Sequence, residues 1–160
     1  MTDAMRSRAG DAGAMDDTAK AIIAMLQRDG RAPYATIARE VGLSEAAVRA
    51  RVQRLLENET LQIVAVTDPT QVGFQRQALI GITVRGDIQK VADQLARLDE
   101  AAYVVVTAGR YDILIEVVCE DDDHLLKLLG SRIRAVDGVA QTETLMYLNL
   151  TKQRYDWGTR

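Results

Sequence analysis

The second half of the chain alternates short apolar runs with amphipathic stretches, and this alternation constrains the fold more than any other feature. It predicts strand, helix, strand, strand, helix and strand in that order. Each helix carries a single apolar stripe and can therefore cover only one face of a sheet. The predicted elements are Ala78 to Val84, Ile88 to Leu98, Ala102 to Thr107, Asp112 to Cys119, Asp123 to Val136 and Val139 to Asn149.

This order of elements is the ferredoxin-like βαββαβ arrangement, so we predict an α+β fold. The strands, however, are apolar on both faces: Ile113 and Ile115 alternate with Leu114, and Leu145 alternates with Met146. A sheet face without helices would then expose a large apolar patch, which monomers rarely tolerate. We therefore expect a homodimer in which two sheets pack together.

The first half shows three short amphipathic stretches at helical spacing. The first starts after Asp16 and stops near Gly30, the second runs from Pro33 to Gly42, and the third is capped by Ser44. A tight glycine turn between the last two helices is the helix-turn-helix arrangement, in which the final helix enters the major groove of DNA. With a strand over Leu61 to Thr67, the prediction is a winged-type domain.

The third predicted helix has an inward stripe of valines and leucines and an outward face of a different kind. Small side chains there permit close approach to base edges, and arginines can reach phosphates or guanines. Such a face on an isolated helix is more often an ordinary solvated surface, and the three-helix pattern reverses that preference. The candidate DNA-binding residues are Ser44, Glu45, Ala46, Arg49, Ala50, Arg51 and Arg54.

Length and composition limit the remaining classes. The 160 residues suffice for two small domains. We divide them into a disordered leader (1–14), a helix-turn-helix domain (15–60), a strand and linker (61–76) and a ferredoxin-like domain (77–160). No apolar run reaches the roughly 20 residues of a membrane helix, so we expect a cytoplasmic protein. Cys119 and His124 are single, and no nucleophile motif or phosphate-binding loop occurs, so we expect neither enzyme, metal nor cofactor.

Short motifs spread along the chain resemble the Lrp/AsnC (leucine-responsive and asparagine-operon) regulators. In the first half they are Met15-Asp-Asp, Asp29-Gly30-Arg31, Val41-Gly42-Leu43-Ser44 and Val48-x-x-Arg51-Val52-x-Arg54-Leu55. In the second half they are Asp68-Pro69, Val72-Gly73, Gly109-Arg-Tyr-Asp112 and Asp137-Gly-Val139. Two positions depart from the family pattern: Ala19 replaces a common acid, and Glu59 stands where a glycine usually ends the recognition helix.

The resemblance implies a sequence-specific regulator of amino-acid or nitrogen metabolism genes, with a RAM/ACT-like second domain. It also implies a small effector, an amino acid or a related metabolite, bound between paired C-terminal domains, and it leaves open assembly to a tetramer or octamer. Alone, the loop at Gly109 would more often be an ordinary hairpin turn. The resemblance makes it the candidate effector site, with Gly109, Arg110, Tyr111, Asp112, Thr142 and Thr144.

Within that loop the residue types suit the two ends of an amino acid. Gly109 leaves backbone N–H groups accessible to a carboxylate, Asp112 offers a counter-charge for an ammonium, and Tyr111 can wall the side chain. Two rival functions remain: an enzyme built on the ferredoxin-like half, and an architectural DNA-binding protein with little sequence preference.

Overall fold

The computed structural model describes residues 15–155 together with 158 and 159, so the predicted leader lies outside the described residues. The chain divides into two compact units. One contains the described residues up to Ala65 and those after Thr151, and the other runs from Val66 to Thr151. Within the described part of the chain, no helix is long and apolar enough to cross a membrane.

The first unit contains the three predicted helices, α1 (Asp17–Arg28), α2 (Tyr34–Val41) and α3 (Glu45–Glu57). Polar side chains fix two of the helix starts: Asp16 Oδ1 accepts the Ala19 N–H at 2.6 Å, and Ser44 Oγ accepts the Ala47 N–H at 3.2 Å. Gly42 ends α2 with φ 68°, in the left-handed region that glycine enters without steric cost. The buried core between the helices is Ile22, Leu26, Ile37, Ala38, Val48 and Val52.

Helix α3 ends in a Schellman motif that has a carboxylate residue in the glycine position. The Thr60 N–H donates to the Leu55 carbonyl and the Glu59 N–H to the Leu56 carbonyl, both at 3.0 Å. Glu59 itself has φ 55°. The Cβ of any residue other than glycine is crowded in this conformation, so Glu59 is held with backbone strain.

We predict that Glu59→Gly stabilises the protein by about 1 kcal/mol, because glycine removes the steric cost of the left-handed conformation. Urea unfolding followed by circular dichroism measures the change. Glu59→Ala is the matched control: it also removes the carboxylate but keeps the Cβ, so it should gain little. Equal stability of the two variants would contradict the strain argument.

The predicted strand from Leu61 to Thr67 is wrong, because the segment has no regular secondary structure and takes part in no ladder of hydrogen bonds. Its apolar side chains Ile63, Val64 and Val66 are exposed. A strand is stable only when another strand satisfies its backbone groups, and no described strand pairs with this segment. The described residues therefore form no wing after α3, and a short 3₁₀ helix, Pro69–Val72, follows the irregular segment.

The second unit has the predicted βαββαβ order. The element bounds are β1 (Arg76–Val84), α4 (Ile88–Leu95), β2 (Ala101–Val106), β3 (Ile113–Cys119), α5 (Asp122–Lys127) and β4 (Val139–Met146). The strands form one antiparallel sheet with the order β2-β3-β1-β4. The second helix, predicted as one piece, passes from α-helix into a π-helical turn at Leu128–Ile133.

The helices cover one face of the sheet, and the core lies there. Alternate residues of β1 and β3 point into it and pack against apolar side chains of α4 and the second helix. Each of these branched side chains contributes about 1.5–3 kcal/mol through burial. The buried set includes Ala78, Ile80, Ile82, Val91, Leu95, Ile113, Ile115, Val117, Leu128 and Ile133.

The other face, which we call the open face, carries the intervening residues of the four strands. It mixes apolar and polar side chains, and Tyr103 and Leu145 are 57% and 46% exposed. Its members are Gln77, Leu79, Gly81 and Thr83 of β1, Tyr103 and Val105 of β2, Leu114, Glu116 and Val118 of β3, and Gln141, Glu143 and Leu145 of β4.

Candidate functional site

The outward face of α3 presents two accessible arginines beside two small residues. Ala46, Arg49, Ala50 and Arg54 are all exposed. The Arg49 guanidinium lies 5.1 Å from the ring centroid of Tyr34 and 3.1 Å from Glu45. Arg54 Nε donates to the Ala50 carbonyl at 3.5 Å. These surface contacts are weak, so both cations are available to a phosphate or a base edge.

Arg51 lies on the flank of the same helix and is held differently. Its Nη1 is 2.6 Å from Asp16 Oδ2, and its side chain is 33% exposed. The same carboxylate caps α1 through its other oxygen. One side chain therefore links the start of α1 to the middle of α3, and sequence analysis missed this contact because the two residues are 35 positions apart.

The Asp16 to Arg51 link sets a pH dependence. The hydrogen bond from Arg51, and after it the Ala19 N–H, hold the pKa of Asp16 below its ordinary value. A depressed carboxyl pKa means that the link stabilises α1 against α3 above the ordinary pKa and is lost as pH falls through the folded-state pKa.

We predict that the Asp16 carboxyl, followed by NMR, titrates at a higher pH in Arg51→Gln than in the wild type, because the larger of the two causes has been removed. The remaining Ala19 contact keeps part of the depression. Arg49→Gln is the control, since Arg49 pairs with Glu45 instead. An Asp16 titration that Arg51→Gln leaves in place would contradict the link.

A polar cleft of about 360 Å³ opens where the β2–β3 loop meets the open face of β1 and β4. A cleft of this size accommodates one small molecule. Its lining residues are Gly81, Thr83, Arg110, Tyr111, Gln141, Thr142 and Glu143.

The Tyr111 ring lies flat against β1 at Gly81. A Cβ on Gly81 would meet the ring carbons at 2.7 Å, so this close approach requires glycine. Glu143 is the register partner of Gly81 on β4, and the Tyr111 hydroxyl donates to its Oε2. That hydrogen bond is the main reason why the pKa of Tyr111 is raised.

Arg110 completes the arrangement from the solvent side. Its Nη2 is 3.1 Å from Glu143 Oε2, and its guanidinium lies 5.3 Å from the Tyr111 ring centroid. Glu143 Oε2 therefore accepts a hydrogen bond from the Tyr111 hydroxyl and pairs with the Arg110 guanidinium at the same time. The cleft therefore holds a carboxylate and a guanidinium side by side.

Each of the two units matches a known domain family. Residues 15–56 match the AsnC-type helix-turn-helix domain, and residues 77–157 match the Lrp/AsnC ligand binding domain. The chain belongs to the Lrp/AsnC family. This confirms the family, the α+β fold and the function of a transcription regulator rather than an enzyme.

Individual Lrp/AsnC relatives are similar over most of their length. The HTH-type transcriptional regulator FL11 of Pyrococcus furiosus is 32% identical over 143 residues, 88% of this chain and 94% of that protein. Regulatory protein AsnC of Escherichia coli is 28% identical over 137 residues, 84% of this chain and 90% of that protein. The crystal structure of the Mycobacterium tuberculosis leucine response regulatory protein superposes with TM-score 0.79 at 28% identity, covering 87% of this chain and 96% of that one.

In this Lrp/AsnC regulator the structure brings together some of the predicted effector residues. Arg110, Tyr111 and Thr142 line the cleft, whereas Gly109, Asp112 and Thr144 are not among its lining residues. Their contact with an effector stays a prediction.

Asp112 and Thr142 already have protein partners. Asp112 Oδ2 accepts the Val84 N–H at 2.7 Å, which fixes the loop against β1. Thr142 Oγ1 accepts from Arg134 Nε at 3.0 Å, on the helix side of the sheet. Sequence analysis missed Glu143, the carboxylate of the cleft, because it directly follows the predicted Thr142 and its side chain therefore points to the opposite face of the strand.

Proposed function

We propose that this Lrp/AsnC regulator binds specific promoter DNA through α3 and controls genes of amino-acid or nitrogen metabolism in response to an amino acid. The observation that carries the proposal is the division of α3 into two faces. Val48 and Val52 are fully buried, while Ala46, Ala50, Arg49 and Arg54 remain open to solvent on the other side. Membership of the family supports the same assignment.

The candidate DNA-binding residues divide by role in this proposal. Ala46 and Ala50 let the helix approach the groove floor, and Arg49 and Arg54 reach phosphates or guanines. Ser44 and Glu45 are exposed at the start of the helix, where the main-chain N–H groups suit a DNA phosphate. Arg51 contributes through Asp16, because its guanidinium is already engaged.

We predict that Arg54→Ala weakens DNA binding measured by fluorescence anisotropy, on a fragment selected by the protein from a random-sequence pool. If Arg54 contacts a phosphate, the slope of log affinity against log salt concentration should fall by about 1 for all DNA sequences. If it contacts a base, the variant should lose its preference for one base at one position of the site. Arg49→Ala should act in the same direction.

Arg97→Ala is the control, since it removes an exposed cation from the second unit and should leave DNA binding unchanged. If neither Arg49→Ala nor Arg54→Ala changes the affinity for DNA, the assignment of α3 as the recognition helix is contradicted. Competition with random DNA separates a regulator from an architectural protein, which would bind both pools alike.

The proposed effector site consists of the loop from Gly109 to Asp112 and the β4 segment that contains Thr142 and Thr144. The polar cleft beside this loop supports it, because it combines a cation, a carboxylate and a tyrosine wall. The match to the family's ligand-binding domain also supports a small-molecule effector, without indicating which one.

We also propose that the open face pairs with the same face of a second copy to form a homodimer, from which a tetramer or octamer can be built. The apolar residues Leu79, Val105, Leu114 and Leu145 lie together on this face, and no described helix covers them. Packing two such faces together would bury them in a sandwich about 10 Å thick.

We predict that the double variant Tyr103→Arg, Leu145→Arg shifts the protein toward monomer in analytical ultracentrifugation at micromolar concentration, because pairing would bury two added charges from each copy. The control is Leu126→Arg, which changes an exposed leucine on the helix side of the sheet. A wild-type protein that sediments as a stable monomer would remove the pairing proposal.

A further inference from the structure

We propose that Arg110 and Glu143 recognise the effector by exchanging their contact with each other for two contacts with a zwitterionic α-amino acid. The effector carboxylate would pair with Arg110, and its ammonium would pair with Glu143. This inference rests on the proposed effector function, and it adds the residues and the charge pattern that would select the ligand.

The geometry allows the pair to open at little cost. Arg110 and Glu143 meet through one 3.1 Å contact, and their side chains are 78% and 45% exposed. Ion pairs between exposed side chains contribute little to stability, since both ends are solvated and held by long, flexible chains. A ligand therefore has little to overcome when it separates them.

An α-amino acid replaces what each partner loses. Its carboxylate offers two oxygens to the planar guanidinium of Arg110, and its ammonium brings donors to the Glu143 carboxylate. One ion pair becomes two, and the net charge of the cleft does not change. An α-keto acid would satisfy Arg110 and leave Glu143 without a cation, whereas an amino-acid ester would leave Arg110 without an anion.

Glu143 would remain in position while Arg110 moves. Its Oε2 also accepts from the Tyr111 hydroxyl, and the Tyr111 ring is held flat by the close approach to Gly81. The exchange therefore needs movement of Arg110 alone, and the exposed Arg110 side chain can leave Glu143 while staying near the face of the Tyr111 ring.

The remaining lining indicates the class of side chain. Thr83 and Gln141 lie on the open face beside Glu143, and both offer hydrogen-bonding groups in the cleft. Polar groups in a binding site favour a ligand that pairs with them, since an apolar side chain would leave them without partners. The cleft therefore suits an amino acid with a polar, hydrogen-bonding side chain better than a branched aliphatic one.

The test is isothermal titration of the full-length protein with L-amino acids, beginning with asparagine, glutamine, serine and threonine and with leucine and valine for comparison. For each binder, the α-keto acid and the methyl ester are titrated as well. The keto acid lacks the ammonium and the ester lacks the carboxylate charge, so the three compounds report on the two charged ends separately.

The expected result is a crossed pattern. Wild-type protein should prefer the amino acid over both analogues by about tenfold or more, in line with charge-assisted contacts. Glu143→Gln should lose the preference over the keto acid and keep that over the ester. Arg110→Gln should lose the preference over the ester and keep that over the keto acid.

Asp123→Asn, which removes one carboxylate from the exposed start of α5, should leave all three affinities unchanged. Circular dichroism confirms that each variant is folded. If Glu143→Gln and Arg110→Gln bind an amino acid as the wild type does, or lose all three compounds equally, the exchange is overturned while the effector proposal stands. A wild type that binds no amino acid overturns both, and DNA binding by the same sample shows whether the regulator assignment survives.

Discussion

Both helices of the second unit cover the same face of its four-stranded sheet, and the positions of the cleft and of the exposed apolar residues follow from that arrangement. On the covered face, Ile80, Ile82 and Ile115 are fully buried and form the core. The residues between them along each strand must then lie on the opposite face. This face carries both the apolar side chains proposed for pairing and the cleft around Glu143, so one surface is available for assembly and for ligand binding.

The first unit meets a different requirement, because a helix proposed to read DNA must be held firmly while one of its faces stays exposed. Val48 and Val52 fix α3 to the other helices, and burial of these side chains has no preferred direction along the helix. Burial of one face sets the rotation of α3, and a directed contact adds to it by fixing its position along the helix axis. The carboxylate of Asp16 supplies one, since it caps α1 and pairs with Arg51 at the same time.

Much of this could be predicted from the sequence, because helix caps, glycine stops and apolar periodicity are local signals. Asp16, Ser44 and Gly42 act as expected, and the βαββαβ order is correct. The failures need information from distant parts of the chain. The segment after Leu61 has strand-forming residues but no partner strand among the described residues. Glu143 was overlooked because pairing with β1 decides which set of alternating β4 residues lies on the open face.

A shared surface has a thermodynamic consequence for the proposed regulator. An effector can shift assembly only by the difference between its affinities for the paired and unpaired states. The Arg110 to Glu143 exchange leaves the net charge of the cleft unchanged, so one source of such a difference is the position that the guanidinium takes when it leaves Glu143. If pairing offers that cation a better position, ligand and pairing favour each other, and by reciprocity pairing strengthens ligand binding by the same factor. If pairing crowds the cation, the same linkage makes the effector a dissociating signal.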